Sequence, residues 1–338
     1  MVLDALEQQV SKKRGKDVRI ADMFDMVAGT STGSIISLGL TVSDDENPGR
    51  PMYRASDLVK FYKEDGKKIF SSIFRWRRVT IKADEPDETE QGPAIDIFNS
   101  TYWKNHTKVN EPPNDLEGPL HPSYSPKSLE ELLSDKFGDK LLNDIVSNVD
   151  VLVPAYNITE KTEAYFTNDD DTNSYKICDV IRASTAAPTY FPAKQIDDNY
   201  YVDGGVFINN PAFKAYLEAK KNYPQATKFV VCSLGTGYFQ ADLENLADSG
   251  WLGWLSPLLS LMMNGSSKLT ENYLESLVTE QDFHYYRLQS DLPEDIPLDD
   301  TRKKALKELE KVANGIINST DFVNLVEEIV ENQELKDQ

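Results

Sequence analysis

Cysteine is scarce in this chain, with only Cys178 and Cys232 among 338 residues, and that excludes a disulfide framework. Both stand in apolar surroundings, Ile177-Cys178 and Val231-Cys232, so the expectation is of buried small side chains. Histidine is nearly as rare, at three residues, and basic residues are outnumbered 56 to 36, which gives a net charge of −20. Such an acidic chain repels the phosphates of nucleic acid and does not dock electrostatically on anionic lipid, which leaves neutral or zwitterionic partners. Long apolar runs are missing as well: the longest, Trp251 to Met263, is broken by Gly253, Ser256 and Pro257 and is too short to span a bilayer. No charged-then-apolar leader opens the sequence and no repeat runs along it, so the expected setting is reducing and cytoplasmic, with any membrane contact peripheral.

What the chain does contain is organised around Gly29-Thr30-Ser31-Thr32-Gly33. An apolar run, Met23 to Ala28, leads into it, and another, Ile35 to Leu40, leads out. This pattern predicts a strand, a tight turn and a helix. In such a G-x-S-x-G elbow the glycines allow a turn where a Cβ would clash, and the serine is pushed out at the tip above a helix N-terminus. Ser31 is therefore the candidate nucleophile, above unpaired helix N–H groups that favour developing negative charge.

The rest of the chain alternates strands and helices. Val2, Leu3, Leu6 and Val10 have helical spacing, so the chain opens inside a helix. Residues 41–126 read as an irregular insertion or lid. Within it, Ala55-Ser56-Asp57 caps a helix, and Arg75-Trp76-Arg77-Arg78 is either a headgroup-layer contact or an exposed basic turn. Val149 to Asn157 has the apolar density of a buried strand with Glu163 to Thr167 antiparallel to it, and Ile177 to Ala187 reads as a helix ended by Pro188. A strand at Tyr200 to Val202 runs into Asp203-Gly204-Gly205, after which Asn210 caps a helix. Lys228 to Leu234 and Phe283 to Gln289 are further strands, residues 300–338 are helical, and the apolar stretch from Trp251 is either core or the lining of an acyl-chain tunnel. Together these patterns predict an α/β sandwich with a largely parallel sheet.

A serine nucleophile needs a base. His106 and His121 fall in the insertion, and His284 lies within a strand pattern, on one face with Tyr286 and Leu288, rather than on a loop beyond a strand. Asp203 is the better partner because it stands where a strand stops, beside two glycines that permit close backbone approach.

Four segments then share one resemblance: Phe24 to Gly33, Ala183-Ser184-Thr185-Ala186-Ala187-Pro188, Val202-Asp203-Gly204-Gly205 through Asn210-Pro211, and Ser233-Leu234-Gly235-Thr236-Gly237. Together and in this order they resemble the patatin-like phospholipase family. The resemblance implies a single three-layer α/β/α domain over residues 1–338 and a lipid acyl hydrolase, phospholipase A or galactolipase in type. It implies a Ser31–Asp203 dyad with Gly29, Thr32 and Gly33 forming the elbow, a supporting turn at Gly204 and Gly205, a phospholipid or galactolipid substrate, and no metal or cofactor. An aspartate base further implies activity persisting near pH 5, below the range in which a histidine base protonates.

Two departures shape the expectation. Ser34 stands where the family has glycine, which is tolerable if its φ is negative. The family's glycine-rich D-G-G-G-x-R-G loop and the strand leading into it precede the helix that Val2 to Val10 resembles, and neither is found in this sequence. The expected consequences are a single identified oxyanion donor, at Thr32, and unpaired backbone groups inside the fold. Two alternatives follow: a non-catalytic lipid-binding or storage protein of the same fold, and a Met1 that is internal to a longer chain.

Overall fold

The computed structural model describes residues 1–69, 124–169, 171–239, 243–244, 251–280 and 282–336. In chain order its helices are α1 (Val2–Arg14), α2 (Ile20–Met23), α3 (Thr32–Gly39), α4 (Ala55–Ile69), α5 (Lys127–Phe137), α6 (Ile177–Ser184), α7 (Ala212–Asn222), α8 (Trp251–Leu277), α9 (Lys303–Ile317) and α10 (Thr320–Lys336). Its strands are β1 (Met26–Ala28), β2 (Asp150–Asn157), β3 (Thr162–Thr167), β4 (Lys194–Ile196), β5 (Asn199–Asp203), β6 (Phe229–Leu234) and β7 (Phe283–Leu288).

Strand β2 is the axis of the first sheet. Along one edge it pairs antiparallel with β3, the expected hairpin. Its other edge is shared: β1 runs parallel to Asp150–Leu152, and β5 runs antiparallel to Ala155–Asn157. The two strands approach head to head and stop on either side of Pro154. A proline is tolerated there because neither neighbour asks it for an N–H. This junction brings the chain leaving β1, which carries Ser31, to the chain leaving β5, which carries Asp203. β4 extends the sheet beyond β5 in antiparallel fashion, and β6 and β7 form a separate parallel pair.

Helices cover both sides of these strands, as an α/β sandwich requires. On β6 and β7 the alternation is explicit. Phe229, Val231, Phe283 and Tyr285 pack against Tyr216 of α7 and Leu274 of α8. Val230, Cys232, Tyr286 and Leu288 pack instead with Leu6, Val10, Phe322 and Leu325 of α1 and α10. A larger core gathers α3, α4, α5 and α6 around β2.

Some sequence expectations shift. Residues 55–69 of the expected insertion are a packed helix, with Leu58, Phe61 and Ile69 buried. Arg75-Trp76-Arg77-Arg78, His106 and His121 lie outside the described residues. The helix expected to reach Ala187 stops at Ser184, because the Ala186 carbonyl turns away to accept the Asp203 N–H at 3.0 Å. The stretch from Trp251 is neither plain core nor broken at Pro257, but the start of the 27-residue helix α8. Burial pushes the thiols of Cys178 and Cys232 up to about 11 and about 12, which leaves both protonated and inert at neutral pH. Among the described residues, no helix is long and apolar enough to cross a membrane.

Two strands have an edge that no strand pairs with among the described residues. In a parallel ladder, alternate residues point their N–H and C=O to opposite edges. Asp25 and Gly29 bond β2, so Val27 does too, and Met26 and Ala28 face away. Phe229 and Gly235 bond the β7 side, so Val230, Cys232 and Leu234 face away. Neither of these edges has a partner strand among the described residues. Both line one cavity of about 2210 Å³, and α7 packs over both strands.

Candidate active site

Ser31 occupies the tip between β1 and α3 with φ 55° and ψ −127°. A positive φ at a non-glycine residue is uncommon and is held only where surrounding contacts impose it. Two kinds of contact do so here. Gly29 approaches α3 so closely that a Cβ on it would lie 2.1 Å from the Gly33 carbonyl oxygen. The Ser31 N–H donates to the Ser184 hydroxyl at 3.0 Å, and Ser184 donates in turn to the Pro154 carbonyl at 2.7 Å. Elbow, helix α6 and the β1–β5 junction are thereby tied together.

Asp203 ends β5 with only 2% of its surface exposed. Its Oδ2 accepts from the Ser31 hydroxyl at 2.6 Å and its Oδ1 accepts from the Gly205 N–H at 2.7 Å. Gly204 is required by close approach: a Cβ there would lie 2.5 Å from the Pro154 carbonyl oxygen. Burial raises the Asp203 pKa to about 6, against the opposing pull of its bonds from Ser31 and Gly205. The carboxyl is therefore poised near the pH at which a general base works best.

At the start of α3, Gly33 N–H bonds the Thr30 carbonyl and Ser34 N–H bonds the Ser31 carbonyl, each at 2.8 Å. The Thr32 N–H has no acceptor among the described residues and lies beside the Ser31 hydroxyl in sequence and along the cavity wall. Ser31, Thr32, Asp203 and Gly205 all line the 2210 Å³ cavity, together with apolar groups from α8 such as Leu259 and Met263.

The patatin-like phospholipase family model matches residues 1–216, which include Ser31, Ser184 and Asp203. The chain belongs to the patatin-like phospholipase family. Patatin-like protein 2 of Arabidopsis thaliana is 28% identical over 327 residues, covering 86% of this chain and 72% of that protein. Patatin-like protein 1 of the same plant is 28% identical over 358 residues, covering 94% and 78%. A third relative, Probable inactive patatin-3-Kuras 1 of Solanum tuberosum, is 25% identical over 327 residues, covering 85% and 73%. Lipid acyl hydrolysis is the activity that this patatin-like family supports in general terms.

Within the patatin-like frame the expected site residues fall unevenly. Ser31 and Asp203 meet directly. Gly29 and Gly204 are required by contact, whereas Gly33 has negative φ and open space where a Cβ would be, so the elbow makes no steric demand there. Gly205 is intermediate, with the Met263 methyl 3.0 Å and the Asp203 Oδ1 3.1 Å from the position of its would-be Cβ. Ser34 does not have positive φ, and its hydroxyl returns to the Ser31 carbonyl at 2.6 Å. His284 is on the opposite face of β7, where Nδ1 meets Glu328 at 2.7 Å, alongside the Tyr286 hydroxyl that donates to the same carboxylate. It lies within a strand, as its pattern suggested, and does not line the cavity that Ser31 lines.

Sequence reasoning missed two supporting groups. Ser184 lay in a quoted motif, but its clamp on the elbow depends on a fully buried position that only packing creates. Tyr62, in the expected insertion, donates to the Thr32 carbonyl at 3.0 Å and so holds the first turn of α3. The regular apolar spacing around it was the available signal. Among the described residues, no group of three or more His, Cys, Asp or Glu side chains could hold a metal ion.

Proposed function

We propose that this protein is a serine-type lipid acyl hydrolase of phospholipase A or galactolipase type, acting through Ser31 and Asp203. The observation carrying the proposal is the 2.6 Å hydrogen bond from the Ser31 hydroxyl to a buried carboxylate at the wall of a large, mainly apolar cavity. As Oγ attacks the ester carbonyl, Asp203 Oδ2 takes its proton. The Thr32 N–H donates a hydrogen bond to the oxyanion, and the proton that Asp203 took from Ser31 passes to the departing lysolipid oxygen as the acyl-enzyme forms. Asp203 next takes a proton from the water that attacks the acyl carbonyl and returns it to Ser31 Oγ as the acyl–enzyme bond breaks and the fatty acid leaves. Membrane contact on this reading is peripheral and involves the outer face of α8, where Leu258, Met262, Leu269 and Tyr273 are between 44 and 53% exposed.

The test is fluorophosphonate labelling combined with turnover of phosphatidylcholine and monogalactosyldiacylglycerol. Label should appear on the wild type and vanish in Ser31→Ala, and Asp203→Asn should slow both reactions at least ~10³-fold. A second reading has its own support: among the described residues only Thr32 supplies a free donor at the elbow, and loss of one such donor costs about 10²–10³ in rate. If no label forms and lipid binding is unchanged in Ser31→Ala, the protein is a non-catalytic lipid binder of the same fold.

A further inference from the structure

The cavity has an unexplained cation. Among the described residues three basic side chains line it: Lys228, Lys268 and Arg287. Lys228 is paired with Glu328 at 2.7 Å and Lys268 with Glu271 at 3.3 Å. Arg287, on β7, makes no ion pair among the described residues. Its Nη1 donates to the Ser233 hydroxyl at 2.9 Å and its Nη2 to the Ser267 hydroxyl at 3.4 Å. Its Nε is out of contact with solvent and has no acceptor.

Beside it is a second donor without an acceptor. Asn210 is 6% exposed and also lines the cavity. Its Oδ1 is fully used, accepting from the Ala212 N–H at 3.1 Å and from the Ser233 hydroxyl at 3.2 Å. Its carbonyl accepts from Thr270 at 3.1 Å. Its Nδ2 has no acceptor. Ser233 thus bridges the guanidinium and the amide and fixes both. Buried donors are normally satisfied, and an unneutralised guanidinium in a chain of net charge −20 is the more unusual for having many carboxylates to choose from.

We propose that Arg287 and Asn210 form a phosphate-binding subsite that holds the headgroup phosphodiester of a phospholipid substrate; this rests on the hydrolase reading above. A guanidinium fork and an amide N–H₂ both donate, and a phosphodiester offers the two unesterified oxygens that such a pair requires. A galactose headgroup offers neutral hydroxyls and leaves the charge of Arg287 unmatched. Asn209, next to Asn210, lies close to Gly205 and Asp203. The subsite and the dyad line the same cavity, and the subsite would make the enzyme select phospholipid over galactolipid.

The test has a kinetic arm and a binding arm. In the first, kcat/KM is measured on phosphatidylcholine and on monogalactosyldiacylglycerol for wild type, Arg287→Met and Asn210→Asp. The Asn210→Asp variant keeps an Oδ1 to accept from the Ala212 N–H but replaces the donor with an acceptor. The phospholipid-to-galactolipid ratio should fall about 10- to 100-fold in both variants. In the second, the Ser31→Ala protein binds hexadecylphosphocholine, which has no ester, and the neutral detergent hexadecyl maltoside. Adding Arg287→Met should weaken the first at least ~10-fold and leave the second within twofold. Unchanged melting temperature shows that the fold is intact. An unchanged ratio, equal weakening of both detergents, or weakening of the maltoside alone would overturn the subsite. Absence of turnover and of fluorophosphonate labelling in wild type would defeat the hydrolase reading, while the binding arm would still decide the subsite.

Discussion

At the scale of single residues, Asp203 carries the sharpest consequence. The sequence identified it as a strand-end aspartate beside two glycines, but its titration depends on burial that only the packed fold supplies. With a pKa of about 6 the carboxyl is about one tenth ionised at pH 5, so the expectation of activity persisting there is revised. On the dyad reading, kcat/KM should rise roughly tenfold from pH 5 to a plateau above pH 7, and His284→Ala should leave that profile in place. A profile whose midpoint moves in His284→Ala would remove Asp203 as the base. The same shift acts on stability. A carboxyl whose pKa is raised by folding from 3.8 to about 6 contributes stability that is fully present below 3.8 and is lost as pH rises through 6. Wild type should therefore lose ~3 kcal/mol relative to Asp203→Asn between pH 3.5 and pH 8, measured by urea unfolding. The elbow glycines provide a second contrast. Both belong to the G-x-S-x-G pattern, but a Cβ at position 29 would collide with the Gly33 carbonyl while one at position 33 meets nothing. Gly29→Ala should destabilise by more than ~3 kcal/mol or abolish labelling of Ser31, whereas Gly33→Ala should cost less than ~1 kcal/mol and keep the label.

Elements whose periodicity is strong were legible. The β2–β3 hairpin, the opening helix and the apolar faces of α10 could be read from spacing, because each buries one face against a neighbour. Helix α8 could not. Gly253 and Pro257 read as breaks, yet the helix runs through both: Pro257 is inside it, where it forfeits the bond to the Gly253 carbonyl and crowds that carbonyl, and the turns after it continue to Leu277. Strand pairing was legible least of all, since which strands adjoin is decided by tertiary contacts. Among the described residues that pairing leaves β1 and β6 with one unpartnered edge each along the cavity. Native-state hydrogen exchange should show the alternation directly. Amides of Met26, Ala28, Val230, Cys232 and Leu234 should exchange ~10- to 100-fold faster than those of Val27, Val231 and Ser233, which bond their neighbouring strands. Uniform protection along β6 would mean that its outer edge is occupied.

For the molecule as a whole, charge and apolar surface oppose each other at a membrane. Leu258, Met262, Leu269 and Tyr273 follow one another at four- and seven-residue steps, so they share a single stripe on the outside of α8. Burying that stripe in a lipid interface is favourable, at about 25 cal/mol per Å² of apolar area. The net charge of −20 resists approach to any anionic surface. Vesicle co-sedimentation should therefore show binding to pure phosphatidylcholine that weakens as phosphatidylserine is added. Raising salt from 0.02 to 0.5 M should recover part of the loss, because the Debye length falls from roughly 20 Å to about 4 Å and the repulsion is screened. The double substitution Leu258→Glu and Met262→Glu should reduce binding to phosphatidylcholine about tenfold or more without changing the melting temperature, both side chains being exposed in the fold. Binding that strengthens with phosphatidylserine would instead require a basic surface outside the described residues, and would remove α8 as the membrane-facing element.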